Sequence, residues 1–109
     1  MPDAGDVVWI DFTPPVGHEQ TGRRPAVVLS PRIYNDRAGL AVLCPVTTQV
    51  KNYPFEVQLP AGSKIRGAIL ADHLKSVDWR QRRAKKFGKI PPVILDQVRQ
   101  RIAVLIGLQ

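Results

Sequence analysis

Apolar residues fall in short runs along most of the chain and change period only near its end. DVVWIDF, residues 6–12, is rich in β-branched and aromatic residues, which predicts a strand largely covered on both faces. PAVVLS, residues 25–30, predicts a second strand; Pro25 suits its first position and holds Arg24 extended. Between them, TPPVGHEQTGR (13–23) carries two prolines and two glycines in eleven residues and reads as a loop. A loop of that length in a compact domain is more often functional than a plain connector.

PRIYNDRAG (31–39) predicts one helical turn and a reversal ending at Gly39. LAVLCPVTTQ (40–49) predicts a third strand, where Pro45 implies an edge position or a bulge. PFEVQL (54–59) alternates, so Phe55, Val57 and Leu59 are expected inward, with Glu56 and Gln58 toward water. PAGSK turns the chain, and GAILA (67–71) with HLKSVDW (73–79) gives one or two more strands. In PPVILDQVRQRIAVLIGLQ the period changes: Ile94 or Leu95, Val98, Ile102 and Leu105 recur at three- and four-residue spacing. Asp96, Gln97, Arg99, Gln100 and Arg101 take the other side, and Pro91 or Pro92 suits a first helical position. The chain is therefore expected to be mainly β with a C-terminal helix: a small, mostly antiparallel barrel closed by one amphipathic helix, not a βαβ fold.

At 109 residues the chain is expected to form a single domain, 1–109, with one hydrophobic core. Its 44% hydrophobic and 23% charged residues match an ordinary globular protein. No apolar run approaches the roughly 20 residues that span a bilayer, so no membrane partner is expected. The start, MPDAGD, lacks the basic and apolar stretches of a secretory signal, and a cytoplasmic location is expected. The lone Cys44 excludes an internal disulfide and a cysteine-built zinc site, and its place in LAVLCPV predicts a core residue.

The net charge of +7 is unevenly placed. WRQRRAKKFGK (79–89) holds Arg80, Arg82, Arg83, Lys85, Lys86 and Lys89 with no acid, while the remaining chain is nearly neutral. One local patch thus carries the excess, and it suits a phosphate backbone, an acidic protein partner or simply solvent.

Neither a metal nor a cofactor is expected. The two histidines, His18 and His73, lie far apart without cysteine support, and neither a phosphate-binding loop nor a dinucleotide fingerprint occurs. What remains is the polar loop 13–23, the Thr47-Thr48 pair and Asp72-His73. Arg24 keeps its proton in practice, so its natural task is to hold an anionic oxygen. Thr47 offers a hydroxyl donor, while His18, Glu19, Asp72 and His73 offer groups that titrate. Donors aimed at a phosphoryl oxygen beside a proton acceptor suit phosphoryl transfer. RNA needs no metal for this, since its own 2′-hydroxyl attacks the adjacent phosphorus once a base takes its proton.

GDVVWIDFTPPVGHEQTGRRPAVVLSPRIYN, VLCPVTTQVKNYPFEV and GAILADHLKSVDWRQR together closely resemble the MazF/PemK family of bacterial toxin–antitoxin ribonucleases. The likeness runs from about Gly5 to Gly107 in the same order and similar spacing. Its most specific parts are the G-H-E-Q loop leading to R-P and a strand, the P-x-T-T motif, and the acid before HLKSV. The resemblance implies an SH3-like barrel with a C-terminal helix, acting as a homodimer. It implies metal-independent, sequence-specific cleavage of single-stranded RNA, commonly mRNA, to a 2′,3′-cyclic phosphate and a 5′-hydroxyl, which arrests translation and growth. It places the catalytic arginine at Arg24 and the catalytic threonine at Thr47. His18 and Glu19 match loop positions that contact RNA or support the site, and Asp72 matches an acid that assists catalysis in some members. Val16, His18, Gln20, Thr48 and Lys51 are candidate readers of the bases.

Two positions depart from the family pattern. Leu70 stands where some relatives carry an arginine, which weakens the case for Asp72 as half of an acid–base pair. His73 stands where many carry glutamine; an imidazole titrates near neutrality and an amide does not. His73 thus either takes part in proton transfer or replaces a hydrogen bond, and the hydrogen bond is the preferred reading at this stage. The resemblance also implies a partner, a labile, acidic MazE-like antitoxin expected to cover Arg24 and the 13–23 loop. Two other readings stay open. One is a gyrase-poisoning toxin of the same fold, whose activity goes with a C-terminal tryptophan motif, whereas this chain ends LIGLQ and has Trp9 and Trp79. The other is a non-catalytic nucleic-acid-binding barrel that works through the 79–89 patch.

Overall fold

The computed structural model describes residues 1–12 and 22–108. In chain order it contains β1 (Asp6–Asp11), β2 (Arg23–Val28), α1 (Arg32–Ala38), β3 (Leu40–Thr47), β4 (Glu56–Gln58) and β5 (Ala68–Leu70). A 3₁₀ turn at Ala71–His73 follows, then β6 (Lys75–Asp78), β7 (Lys85–Lys89) and α2 (Pro92–Leu105). All strand pairings are antiparallel, in the order β4-β5-β3-β2-β1-β7, with β6 also beside β3. This is the expected mainly β architecture with a C-terminal helix. No helix among the described residues is long and apolar enough to cross a membrane.

Strand alternation sorts the core into two clusters. Val7, Val27, Cys44, Val46, Val57 and Ile69 face α2, where Ile94 and Val98, with Ile90 just ahead of the helix, complete the packing. Val8, Ile10 and Phe12 of β1 and its end, Ala26 and Val28 of β2, and Ala41 and Leu43 of β3 share the opposite face with Val77. Burying side chains on both faces is what the unalternating apolar runs require. Cys44 is fully buried, and desolvation pushes its thiol up to about 12.

Several elements differ from the sequence reading. Strand β2 starts at Arg23, two residues before PAVVLS, so Pro25 lies within it opposite Trp9. Strand β3 is not an edge: it runs beside β2, β5 and β6. Pro45 is tolerated because it falls between Leu43, the last residue paired with β6, and Val46, the first paired with β5. A missing N–H costs little where one neighbour ends before the next begins. The helical turn expected at 31–39 is longer, Arg32–Ala38, and closes on Gly39 in the left-handed region at φ 71°. In α2 the stripe is covered as far as Ile102, but Leu105 is exposed rather than inward.

The basic segment is not only a surface patch. Lys85–Lys89 forms β7, paired with β1 through a bulge between Val7 and Val8. Phe87 stacks on Trp9 with ring centroids 4.8 Å apart. Among the described residues, four of the patch's cations pair with a carboxylate. Arg83 meets Asp11 at 2.9 Å, Lys86 meets Asp6 at 3.2 Å, and Lys89–Asp6 and Arg80–Asp36 stand at 3.9 Å. Much of the charge that looked unmatched in sequence is answered by acids distant in the chain.

Candidate active site

The register of β2 on β3 pairs Ala26 with Pro45 and Val27 with Cys44. The ladder ends at the first of these pairs, with Arg24 two residues beyond Ala26 on β2 and Thr47 two beyond Pro45 on β3. Alternation then fixes their face: Arg24 follows Val28 and Ala26, while Thr47 follows Ala41, Leu43 and Pro45. Both therefore leave the sheet at one rim of the same face, half-buried, where β2 is also paired to Ile10 of β1. Each strand end thus carries one polar side chain, a guanidinium on β2 and a hydroxyl on β3, the same distance past the last β2–β3 pair.

Thr47 is held from two sides. It pairs with Ala68 of β5, and its Oγ1 accepts the Gln49 backbone N–H at 3.0 Å. That bond uses an oxygen lone pair and leaves the hydroxyl proton for another acceptor. Gly67, at φ 119°, lies so close that a Cβ there would come within 1.9 Å of the Thr47 carbonyl oxygen. The chain needs glycine at this position to bring β5 up to the end of β3.

Beside Thr47 opens a polar cavity of about 250 Å³, lined by Gln49, Lys51, Tyr53, Glu56, Leu70 and His73. Glu56 shapes its wall. This carboxylate was expected to face water, yet it is only 7% exposed. Burial is tolerated because its oxygens accept the backbone N–H groups of Lys51 at 3.0 and 3.2 Å and of Asn52 at 2.9 Å. Asn52 itself takes φ 60°, a turn conformation that asparagine tolerates. The Arg101 guanidinium on α2 donates to the Pro54 carbonyl at 3.1 Å and ties the same loop to the helix.

Asp72 and His73 sit on the 3₁₀ turn between β5 and β6. Tyr53 donates its hydroxyl to Asp72 Oδ1 at 2.6 Å, and His73 Nε2 stands 3.9 Å from the same oxygen. Burial, then the hydrogen bond to Asp72 and the charge beside it, push the Tyr53 phenol well above its ordinary value. Leu70 is buried and lines the cavity, so the aspartate finds its partner in a tyrosine.

Of the residues singled out in sequence, the structure brings Thr47 and His73 to one cavity and Arg24 to the strand beside it, with Asp72 next to His73. Thr48 follows Thr47 and is exposed. His18, Glu19 and Gln20, together with Val16, lie outside the described residues. Sequence reasoning missed Tyr53 and Glu56. Glu56 gave no signal, since an alternating strand places it outward; Tyr53 sat in an unpatterned loop. Among the described residues, no group of three or more histidine, cysteine or acidic side chains is placed to hold a metal ion.

Comparison with known proteins agrees with this architecture. The profile of the PemK-like, MazF-like toxin of type II toxin-antitoxin system matches residues 3–106. The endoribonuclease toxin MazF of Escherichia coli K12 is 50% identical over 107 residues, covering 98% of this chain and 96% of its own. The crystal structure of MazF from Deinococcus radiodurans superposes with a TM-score of 0.93 at 54% identity, covering 97% of this chain and 96% of that one. A MazE-MazF crystal structure from the same organism gives 0.90 at 53% identity, over 99% of this chain and 97% of the other.

Proposed function

Because this chain belongs to the PemK-like, MazF-like toxins of type II toxin-antitoxin systems, we propose that it is an endoribonuclease toxin whose cutting site is the rim shared by Arg24 and Thr47. The observation that carries this reading is the β2–β3 register, whose last pair, Ala26–Pro45, lies two residues short of both Arg24 and Thr47. RNA supplies its own nucleophile. The 2′-oxygen bonds to phosphorus as its proton leaves, the bond to the 5′-oxygen breaks, and a 2′,3′-cyclic phosphate and a 5′-hydroxyl result. Negative charge builds on the phosphoryl oxygens in between. Arg24, which stays protonated, and Thr47 stabilise that charge from positions fixed before substrate arrives. The substrate is single-stranded RNA, foremost mRNA, and no metal enters the step.

His18, Glu19 and Gln20 from the 13–21 segment, with Thr48, complete the RNA-binding surface in this reading, and one domain, 1–109, carries the whole activity in the cytoplasm. A MazE-like antitoxin, as in the MazE-MazF structures, is the partner that holds it inactive. Its acidic tail would lie along the rim and displace RNA. The working unit is a homodimer. Ile106 (59% exposed) and Leu108 (65% exposed) border an apolar hollow of about 330 Å³ with Leu29, Val42, Leu74 and Ile102, a surface that favours burial against a second copy.

The test is cleavage of a defined single-stranded RNA in EDTA, with no gyrase present. The unsubstituted chain is expected to leave 5′-hydroxyl ends and to spare an all-deoxy strand. Arg24→Ala and Thr47→Ala are each expected to fold and dimerise but to cut on the order of a hundredfold more slowly. Undiminished cutting by Arg24→Ala would remove this site from the reaction.

A further inference from the structure

The side chains around the cavity differ in what a proton can do there. Leu70, Gln49 and Thr47 do not titrate, and a lysine such as Lys51 enters as a cation with no acceptor. Glu56 has its oxygens committed to the backbone N–H groups of Lys51 and Asn52. Tyr53 spends its proton on Asp72, and its raised pKa keeps the phenolate from forming near neutrality. Among the described residues, His73 is the lining group left to accept a proton, and imidazole is the side-chain base suited to neutral pH.

Resting on the endoribonuclease reading above, we propose that His73 is the general base of the cleavage. Its imidazole takes the 2′-hydroxyl proton as that oxygen bonds to phosphorus and the bond to the 5′-oxygen breaks. Water protonates the departing 5′-oxygen, and the imidazolium returns its proton to solvent. Nε2 is the ring nitrogen turned to Asp72, at 3.9 Å, which leaves Nδ1 for the substrate. Asp72 is beyond hydrogen-bond length, and its carboxylate charge stands beside the ring. Tyr53, at 2.6 Å from the same oxygen, fixes where that charge sits. Asp72 and Tyr53 are positioning residues.

The other charged groups near this turn are turned elsewhere or held. On α2, which packs on the turn, Arg101 donates to the Pro54 carbonyl and to the Gln97 carbonyl, and Arg99 reaches toward the Leu29 carbonyl. On β6, the Lys75 ammonium lies 5.3 Å from the Phe12 ring centre. Lys51 and Glu56 share the cavity itself with His73.

The experiment measures kcat/KM for a short single-stranded RNA in EDTA between about pH 5 and 8. The unsubstituted chain is expected to lose rate on the acid side, roughly tenfold per pH unit. His73→Gln is expected to be about a hundredfold slower and to lack that inflection. Asp72→Asn, which leaves the imidazole in place, is expected to be slower yet to keep the acid-side loss of rate; this arm stands even if His73→Gln does not fold. An inflection unchanged in His73→Gln, or lost in Asp72→Asn, overturns the assignment, as does its disappearance in His18→Gln. An unsubstituted chain that leaves RNA intact at every pH overturns the endoribonuclease reading along with it.

Discussion

Tyr53 and Asp72, nineteen positions apart, meet through a 2.6 Å hydrogen bond that joins the loop after β3 to the turn before β6. A phenol donating to a carboxylate makes a charge-assisted contact, stronger than one between neutral groups. Tyr53→Phe is expected to cost about 1–2 kcal/mol in urea unfolding and to slow RNA cleavage with the fold retained. Stability and rate both equal to the parent chain would show that the bond holds nothing in place.

Glu56 anchors the neighbouring wall. Removing its carboxylate leaves the N–H groups of Lys51 and Asn52 without their acceptor in a half-closed setting. Glu56→Ala is expected to destabilise by about 3 kcal/mol. It should also expose the 48–55 loop to proteolysis in the native state. A loop as resistant as before would argue that Arg101 alone secures it.

Gly67 is a sharper case. Any side chain must both adopt φ 119° and push against the Thr47 carbonyl. Gly67→Ala is expected to cost on the order of 3 kcal/mol or more and to abolish cleavage by displacing the strand end that carries Thr47. An alanine variant with full activity would mean that this close approach does not exist in solution.

Acid stability follows from Asp11. Its carboxylate bonds Arg83 first and Arg23 second, and both lower its pKa below the ordinary 3.8. A lowered folded-state value contributes stability that is fully present above 3.8 and lost as pH falls through the lower folded value. Asp11→Asn is therefore expected to lower the urea midpoint at about pH 7, and the gap should shrink below pH 3.8. A gap that stays constant into strong acid would contradict this pairing. Because the groups are exposed, high salt should narrow it as well.

What could be read in sequence was whatever depends on local pattern. Val7, Val8 and Ile10, Val27 and Val28, and Leu43 and Cys44 announced β1, β2 and β3 by apolar density, and Ile94, Val98 and Ile102 announced α2 by spacing. Gly39 gave the end of α1 because only its backbone turns that corner freely. Strand β7 was hidden: KKFGK has one apolar side chain, and its strand character comes from β1, nearly eighty residues earlier. Pro45 misled because the change of partners along β3 leaves no local trace. The same holds for the site. The motif residues were visible, but the bond from Tyr53 to Asp72 and the buried Glu56 arise from tertiary contacts that no periodicity encodes.

The hydrophobic layer beneath the Asp72–His73 turn is closed by Ile90, Ile94 and Val98, all from the final fifth of the chain. A nascent polypeptide still tethered to the ribosome before those residues emerge has Arg24 and Thr47 already synthesised but lacks the floor that steadies the opposite wall. Such a copy is not expected to cut RNA before its last residues are free to pack. The order in which the gene is read becomes a timer on the weapon it encodes.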